Sequence, residues 1–372
     1  MKAICDRKKL LRAFRLASLA TARRSPKPIL ENIKLEVDAK SATVVATNLE
    51  TSIRLDVPGF EVELPGSVVL PADRFGAILA KGTSERLALD CNGSKLAVAG
   101  EASKYSLPVE SPDLFPASGR FAEEQFCTLP AGTFCEAVRR TVFATDEGAT
   151  RYAVSGVLFE QGEDRLHVVA TNGRCIAVQA VPVESAGSTE KRFGVVLAET
   201  LKIAARVLAD CEGDIRLAFA DNSAWIAAGA VEICGRLVEG RFPRWREHIP
   251  DGAGATKITL PVGRLLAAIE QAAITTSEQH MGVHLAFGSS KLMLHNEGAE
   301  RGESRVEMPV DYDGPELAVT LNPFYLADFL RVLDSSTEVT AQVVSAETVV
   351  ALTTNDNYTF AIAPMCKDKK NG

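Results

Sequence analysis

Five residues, Val44-Val45-Ala46-Thr47-Asn48, return unchanged as Val168-Val169-Ala170-Thr171-Asn172, an offset of 124 residues. The same offset again leads to Leu292-Met293-Leu294-His295-Asn296, an apolar run of equal length ending in the same residue. A chain with a period this long is assembled from copies of one supersecondary unit. Further landmarks keep the period. Val68-Val69-Leu70-Pro71, Val195-Val196-Leu197 and Val319-Thr320-Leu321 each precede an apolar-periodic stretch, and Leu129-Pro130 is answered by Leu260-Pro261. Each copy therefore holds two similar halves, each with a short strand, one helix and several strands.

At roughly 100–150 residues per domain, 372 residues accommodate three copies. We expect domains at 1–122, 126–250 and 256–366, followed by a charged tail at 367–372. The first linker, 111–124, carries Ser111-Pro112, Phe115-Pro116 and Ser118-Gly119; the second is Pro250-Asp251-Gly252-Ala253-Gly254. No run of eighteen apolar residues exists, and Met1 to Lys9 turns charged where a signal peptide would turn apolar, so we expect a cytoplasmic protein without a membrane partner. The eight cysteines include no Cys-x-x-Cys pair, which favours buried thiols over disulfides or zinc.

Helices are expected over 6–20, 72–81, 131–142, 198–209, 262–273 and 322–333. In the first, Leu10, Leu11, Phe14 and Ala17 share one side and Lys8, Arg12 and Arg15 the other. Alternation predicts strands at 29–37, 42–48, 52–57, 85–90 and 95–99, a hairpin through Gln161-Gly162-Glu163-Asp164, and later strands including Tyr358 to Ile362. The six helical stretches together carry a net charge of +7 in a chain whose total is −7. Basic helix faces on an otherwise acidic protein point to a localised polyanion-facing surface, or simply to cations suited to exposed helix positions. Similar domains with helices on one side can stack edge to edge into an arc; if two chains close it, twelve helices of roughly 10 Å diameter leave an opening on the order of 28 Å.

No catalytic arrangement competes with this reading. His280-Met281-Gly282-Val283-His284 has two histidines at helical i, i+4 spacing, but Gly282 and the following alternation favour a strand without a third metal ligand. There is no Gly-rich phosphate loop, and no cofactor is expected.

Several motifs, in order and at matching spacing, carry a family resemblance over about residues 1–366. They are Lys27-Pro28-Ile29-Leu30 with Leu35; Leu70-Pro71-Ala72 with Phe75; Arg151-Tyr152 leading to Gly156-Val157-Leu158-Phe159-Glu160; Ala170-Thr171-Asn172-Gly173; Leu237-Val238-Glu239-Gly240-Arg241-Phe242-Pro243; and Pro364-Met365. The chain resembles the bacterial DNA polymerase III beta subunit, the sliding clamp family. The resemblance implies an α+β fold of three tandem clamp domains, each of two helices packed on antiparallel sheets, forming half of a ring. It also implies a non-catalytic processivity factor: a head-to-tail homodimer that encircles duplex DNA without reading its sequence, is placed there by a clamp loader, and tethers the polymerase III alpha subunit and other proteins bearing a clamp-binding motif.

By position, the resemblance assigns Arg24, Arg74, Arg151 and Tyr152 to the DNA face, with Lys202 and Arg206 compensating for Asp73, Ala198 and Glu199, which stand where the family often has cations. It assigns Tyr105, Ile274 and Thr275 to the dimer interface. A partner-peptide cleft is expected from Val154, Thr171, Gly173, Arg174, Cys175, Ile176, Pro243, Glu247 and His248, together with His280, Ala361, Ile362, Ala363, Pro364, Met365 and Cys366. Here the sequence departs from the family. Gly173-Arg174-Cys175-Ile176 replaces the common Gly-His-Arg-Leu, Ala363 removes a long apolar side chain, and Glu247 adds an acid expected to repel acidic peptide flanks. The rival reading is a divergent clamp-fold paralogue with altered partner or inhibitor-peptide binding and no main replicative role.

Overall fold

The computed structural model describes residues 1–122, 124–146, 148, 153–186, 192–277, 281–298 and 302–365. Six α-helices occur among them: α1 (Arg7–Ala17), α2 (Ala72–Lys81), α3 (Ala131–Thr141), α4 (Ala198–Leu208), α5 (Val262–Ala272) and α6 (Pro323–Arg331). Each falls where apolar periodicity places it. In α1, Leu10, Ala13, Phe14 and Ala17 are buried at i, i+3, i+4 and i+7. Asp6 caps its start by accepting from the Lys9 amide at 3.0 Å, and Asn322 does the same for α6 from Phe324 at 2.9 Å. The expected first helix is shorter than its pattern, because Ser18–Ala20 tighten into a 3-10 turn. No helix among the described residues is long and apolar enough to cross a membrane.

The chain forms two compact units, and these do not coincide with the repeats. The first comprises Met1–Cys135, Val183–Glu190 and Glu199–Leu237. It contains a five-stranded sheet in the order Phe60–Leu64, Lys2–Asp6, Arg86–Asn92, Lys95–Ala99, Lys104–Pro108. Its second sheet has nine strands: Glu184–Ala186, Phe126–Pro130, Asp214–Ala220, Ser223–Ala228, Val231–Arg236, Thr51–Val57, Ala42–Thr47, Asn32–Val37 and Gly66–Pro71. All the pairings are antiparallel. The first and second repeats meet in it, Ile233 standing opposite Ile53. Inside this unit α1 packs on α2 through Phe14 and Phe75, whose rings meet edge to face at 5.2 Å.

The second unit comprises Glu136–Pro182, Lys191–Ala198 and Val238–Gly372. Its eight-stranded sheet runs Arg192–Leu197, Gly156–Gln161, Arg165–Thr171, Cys175–Pro182, Tyr358–Ile362, Val350–Thr353, Glu338–Val343, Thr256–Pro261. Here the second and third repeats meet, Ala177 opposite Phe360. A four-stranded sheet, Gly302–Pro309, Lys291–Gly298, Val283–Gly288 and Leu317–Leu321, lies under α5. Among the described residues the middle repeat thus gives five strands to the first unit and four to the second.

The repeated Thr-Asn pair is a turn device. Asn48 Oδ1 accepts from the amides of Glu50 and Thr51 at 3.0 and 2.7 Å, and Asn172 Oδ1 from those of Arg174 and Cys175, both at 2.9 Å. Thr47 and Thr171 donate their hydroxyls to the carbonyls of Thr51 and Cys175. These side chains supply the hydrogen bonds that the backbone loses where the strands reverse. The residue after each asparagine has positive φ, +77° at Leu49 and +81° at Gly173. Asn296 differs: its strand runs on to Gly298, and its side chain donates to the Gly282 carbonyl at 2.6 Å. Among the strands absent from the sequence reading are Lys2–Asp6 and Phe60–Leu64, which pair with each other through Ala3 and Val62. Each is too short to establish a period by itself.

Candidate functional site

A cleft of about 150 Å3 forms in the second unit, where the Asn172 turn meets the C-terminal strand. Cys175 pairs with Ile362, and the Ala363 amide donates to the Arg174 carbonyl at 2.9 Å, so residues nearly 190 positions apart share one wall. Thr171, Gly173, Arg174, Cys175 and Ile176 line it with Ala361 and Ala363; Pro243, just before the 3-10 turn Trp245–His248, and His248, its last residue, close it. A connected hollow adds Val154 and Glu247. Its floor is continuous with an apolar cluster that includes Leu158, Ile176, Val178, Val195, Trp245 and Ala361.

Not every expected cleft residue lines it. Ile362 is fully buried on the strand face opposite Ala361. Pro364 and Met365 are half-buried, and the Met365 amide donates to the Thr320 carbonyl at 2.8 Å, which carries the chain toward the edge of the four-stranded sheet. His280 and Cys366 lie outside the described residues. Conversely, Val349 lines the cleft and Asn172, Arg241, Phe242 and Arg244 line the hollow. Asn172, Arg241 and Phe242 belong to motifs that carried the resemblance without being assigned to the cleft. Val349 carried no signal, because it arrives through the pairing of Val350 with Ile362.

Titratable groups at the cleft are governed by burial and hydrogen bonds. Burial pushes the Cys175 thiol up to about 12, against a hydrogen bond to Asn172, so it stays neutral. Cys5 and Cys127 are raised to about 12 by the same burial. Glu247 is not the bare acid that its position suggested: Arg244 donates to it at 3.1 Å. Nearby, burial disfavours charge on Glu160, yet hydrogen bonds from Arg246 and the Trp245 indole outweigh it and hold the carboxyl below its ordinary range. The paired histidine spacing resolves differently: His284 stacks on His295 with ring centroids 4.8 Å apart and bonds to the Thr320 hydroxyl. Among the described residues no three His, Cys, Asp or Glu side chains are grouped to hold a metal.

The cations fall into two classes. Arg7 is turned inward, donating to the carbonyls of Ser84 and Leu79 at 2.7 Å, so it does not contribute to the outer face of α1. Arg139 and Arg140 of α3 both pair with Glu136, and Arg331 of α6 pairs with Glu270 and Asp328. By contrast Lys8, Arg12 and Arg15 of α1 are exposed, as are Arg24, Arg74, Lys202 and Arg206. Arg12 stands 3.5 Å from Asp210 and Lys202 4.0 Å from Glu199. Arg15, Arg24, Arg74 and Arg206 have no carboxylate partner among the described residues. The unpaired helix cations thus concentrate in the first unit. Arg151 and Tyr152 lie outside the described residues.

Among the described residues each of the four sheets is open, and two of the edge strands bear on assembly. Lys104–Pro108 bounds the five-stranded sheet and exposes Tyr105; Gly302–Pro309 bounds the four-stranded sheet. Ile274 is 77% exposed in the 3-10 turn after α5, and the Thr275 hydroxyl lies 3.4 Å from Asn296 Oδ1. An unpaired strand edge is a template for another chain.

Three family models match the chain in series: the DNA polymerase III beta subunit N-terminal domain at residues 1–118, the central domain at 128–244 and the C-terminal domain at 246–366. The beta sliding clamp of Pseudomonas putida is 26% identical over 367 residues, spanning 97% of this chain and 98% of its own. Among solved structures, the DNA polymerase III subunit beta from Pseudomonas aeruginosa superposes with a TM-score of 0.92 at 23% identity, covering 99% of this chain and 100% of that one. The DNA polymerase sliding clamp from Bacillus subtilis also gives 0.92, at 21% identity, covering 99% of both. With all three domain types present in order and the whole fold shared, the chain belongs to the DNA polymerase III beta subunit family.

Proposed function

We propose that the chain is a DNA sliding clamp: a non-catalytic homodimer that encircles duplex DNA in the cytoplasm and tethers the replicative polymerase. The observation that carries the reading is the unbroken series of three beta-subunit domains over residues 1–366. Tethering works by effective concentration, since a polymerase attached to a ring that cannot leave its template rebinds before it diffuses away. Arg24, Arg74, Lys202 and Arg206 face the phosphates, a role that the family resemblance extends to Arg151 and Tyr152. Their contacts position without reading bases and weaken with salt. The Tyr105 strand of one protomer meets the Ile274–Thr275 region of its partner. The clamp loader, the polymerase III alpha subunit and other motif-bearing proteins insert short peptides into the cleft around Pro243, Ile176 and Ala363, where a few apolar anchors supply most of the affinity. Unpaired cations in the first unit and an apolar cleft in the second support the two halves of this reading.

The test is topological. Loaded by a clamp loader onto nicked circular DNA, the protein is expected to stay bound through a wash at moderate salt and to leave once the circle is cut. Retention on the linearised DNA, or tight binding to a short linear duplex, counts against encirclement.

A further inference from the structure

Beside the cleft lies a larger groove of about 600 Å3, walled by Leu158, Phe193, Val195, Phe242 and Trp245. Phe193 is 70% exposed at its mouth. An aromatic ring left this open beside an apolar groove gains by covering. The floor is rigid. The Arg246 guanidinium lies 4.1 Å from the Trp245 ring centre, Arg246 also pairs with Glu160 at 2.8 Å, and the His167 ring packs 5.8 Å from the indole. Burial, then Arg246, lowers the pKa of His167, so no further cation is added there near neutral pH.

Two observations define the occupant. Arg241, Phe242, Pro243, Arg244 and Glu247 line both this groove and the hollow that opens into the cleft, so one extended segment can run from one to the other. The arginines of this wall are also unequal. Arg244 is paired with Glu247 and Arg246 with Glu160, whereas exposed Arg241 has no carboxylate partner among the described residues. We propose that the groove takes the flank of a partner peptide already seated in the cleft, with an aromatic or large aliphatic residue against Phe193 and Trp245 and a carboxylate on Arg241. The inference rests on the peptide-cleft reading and extends it by a second anchor. A flank too polar to fill the groove forgoes that anchor, so the groove ranks partners that share the same core motif.

The intact protein can be titrated with a fluorescein-labelled pentapeptide that starts with Gln and ends in Leu-Phe, and with versions extended at either end by Gly, Phe and Asp. One extended version is expected to bind about tenfold more tightly than the parent, as covering part of an aromatic side chain predicts. Phe193→Ser should abolish that gain and leave the affinity for the parent unchanged, a check that the variant is folded. Arg241→Gln should reduce the gain, and so should Asn in place of Asp in the peptide. Binding of the parent with no gain from either extension, or a gain that survives Phe193→Ser, overturns the proposal. Failure of the parent to bind overturns the cleft reading and this proposal together. A wild-type mass in solution that falls with Phe193→Ser assigns the groove to a second copy of the chain and overturns it too.

Discussion

Leu49 and Gly173 occupy the same place in two copies of one turn, and only one of them suits it. At φ +77° an L side chain bears a cost that glycine escapes, and Leu49 is half exposed, so it recovers little of this by packing. Leu49→Gly is expected to raise stability by about 0.5–1 kcal/mol in urea unfolding, with the strain relieved partly offset by glycine's larger unfolded-state entropy. Gly173→Ala should shift it the other way, because its space is open but its φ is not permissive. At this scale the sequence was informative. The repeated Thr-Asn marked the position through the period alone, its work as a turn device appearing only in the hydrogen bonds, and Gly173 sits where the turn requires it. Arg7 was not legible: nothing in the helical pattern distinguishes an arginine that caps two buried carbonyls from one that faces water.

Arg140 shows how elements are joined. From α3 it reaches Glu136 at 2.7 Å, Asp356 at 2.6 Å and the Gln179 side chain at 2.9 Å, and its own carbonyl accepts from the Tyr358 hydroxyl at 2.5 Å. The helix is thereby tied to two adjacent strands of the eight-stranded sheet. Arg140→Met should cost about 1 kcal/mol, because it removes the donor to the buried Gln179 side-chain oxygen, while water reaches the exposed Asp356 carboxylate and most of the apolar stem is kept. The pH dependence has a definite sign. Burial disfavours charge on Asp356, but hydrogen bonds from Thr354 and Arg140 outweigh it and hold its pKa below the ordinary 3.8. A depressed carboxyl contributes stability that is whole above its unfolded value and lost as pH falls through and below it. Wild type should therefore lose stability below about pH 4 more steeply than Arg140→Met, as thermal melts across an acid series would show; parallel curves would dissociate Asp356 from the effect.

Assembly belongs to the whole molecule. With a chain mass of 39.8 kDa, the homodimer reading expects a hydrodynamic mass about twice that at micromolar concentration, falling on dilution, and Tyr105→Ser should move the midpoint to higher concentration. A single mass near that of one chain at every accessible concentration would sink it. Thr275, where the family commonly has an aliphatic residue, already directs its hydroxyl toward Asn296, so the contact is expected to be weaker than a fully apolar one.

What the sequence determined by itself was periodic: the copies, the six amphipathic helices and the strands whose alternation runs long enough to be read. These follow from local chemistry, because which residues can face a core is settled within a turn or two of chain. Resemblance then named by position Thr171, Gly173, Arg174, Cys175, Ile176, Ala361 and Ala363, which line one hollow in the structure. Only the tertiary structure decided which strand lies beside which. The pairing of Val231–Arg236 with Thr51–Val57, and of Cys175–Pro182 with Tyr358–Ile362, divides the middle repeat between two compact units and brings Val349 into the cleft wall. Strand edges present the same donors and acceptors whatever their sequence, so partners this far apart are chosen by the fit of buried faces, which a linear pattern does not encode.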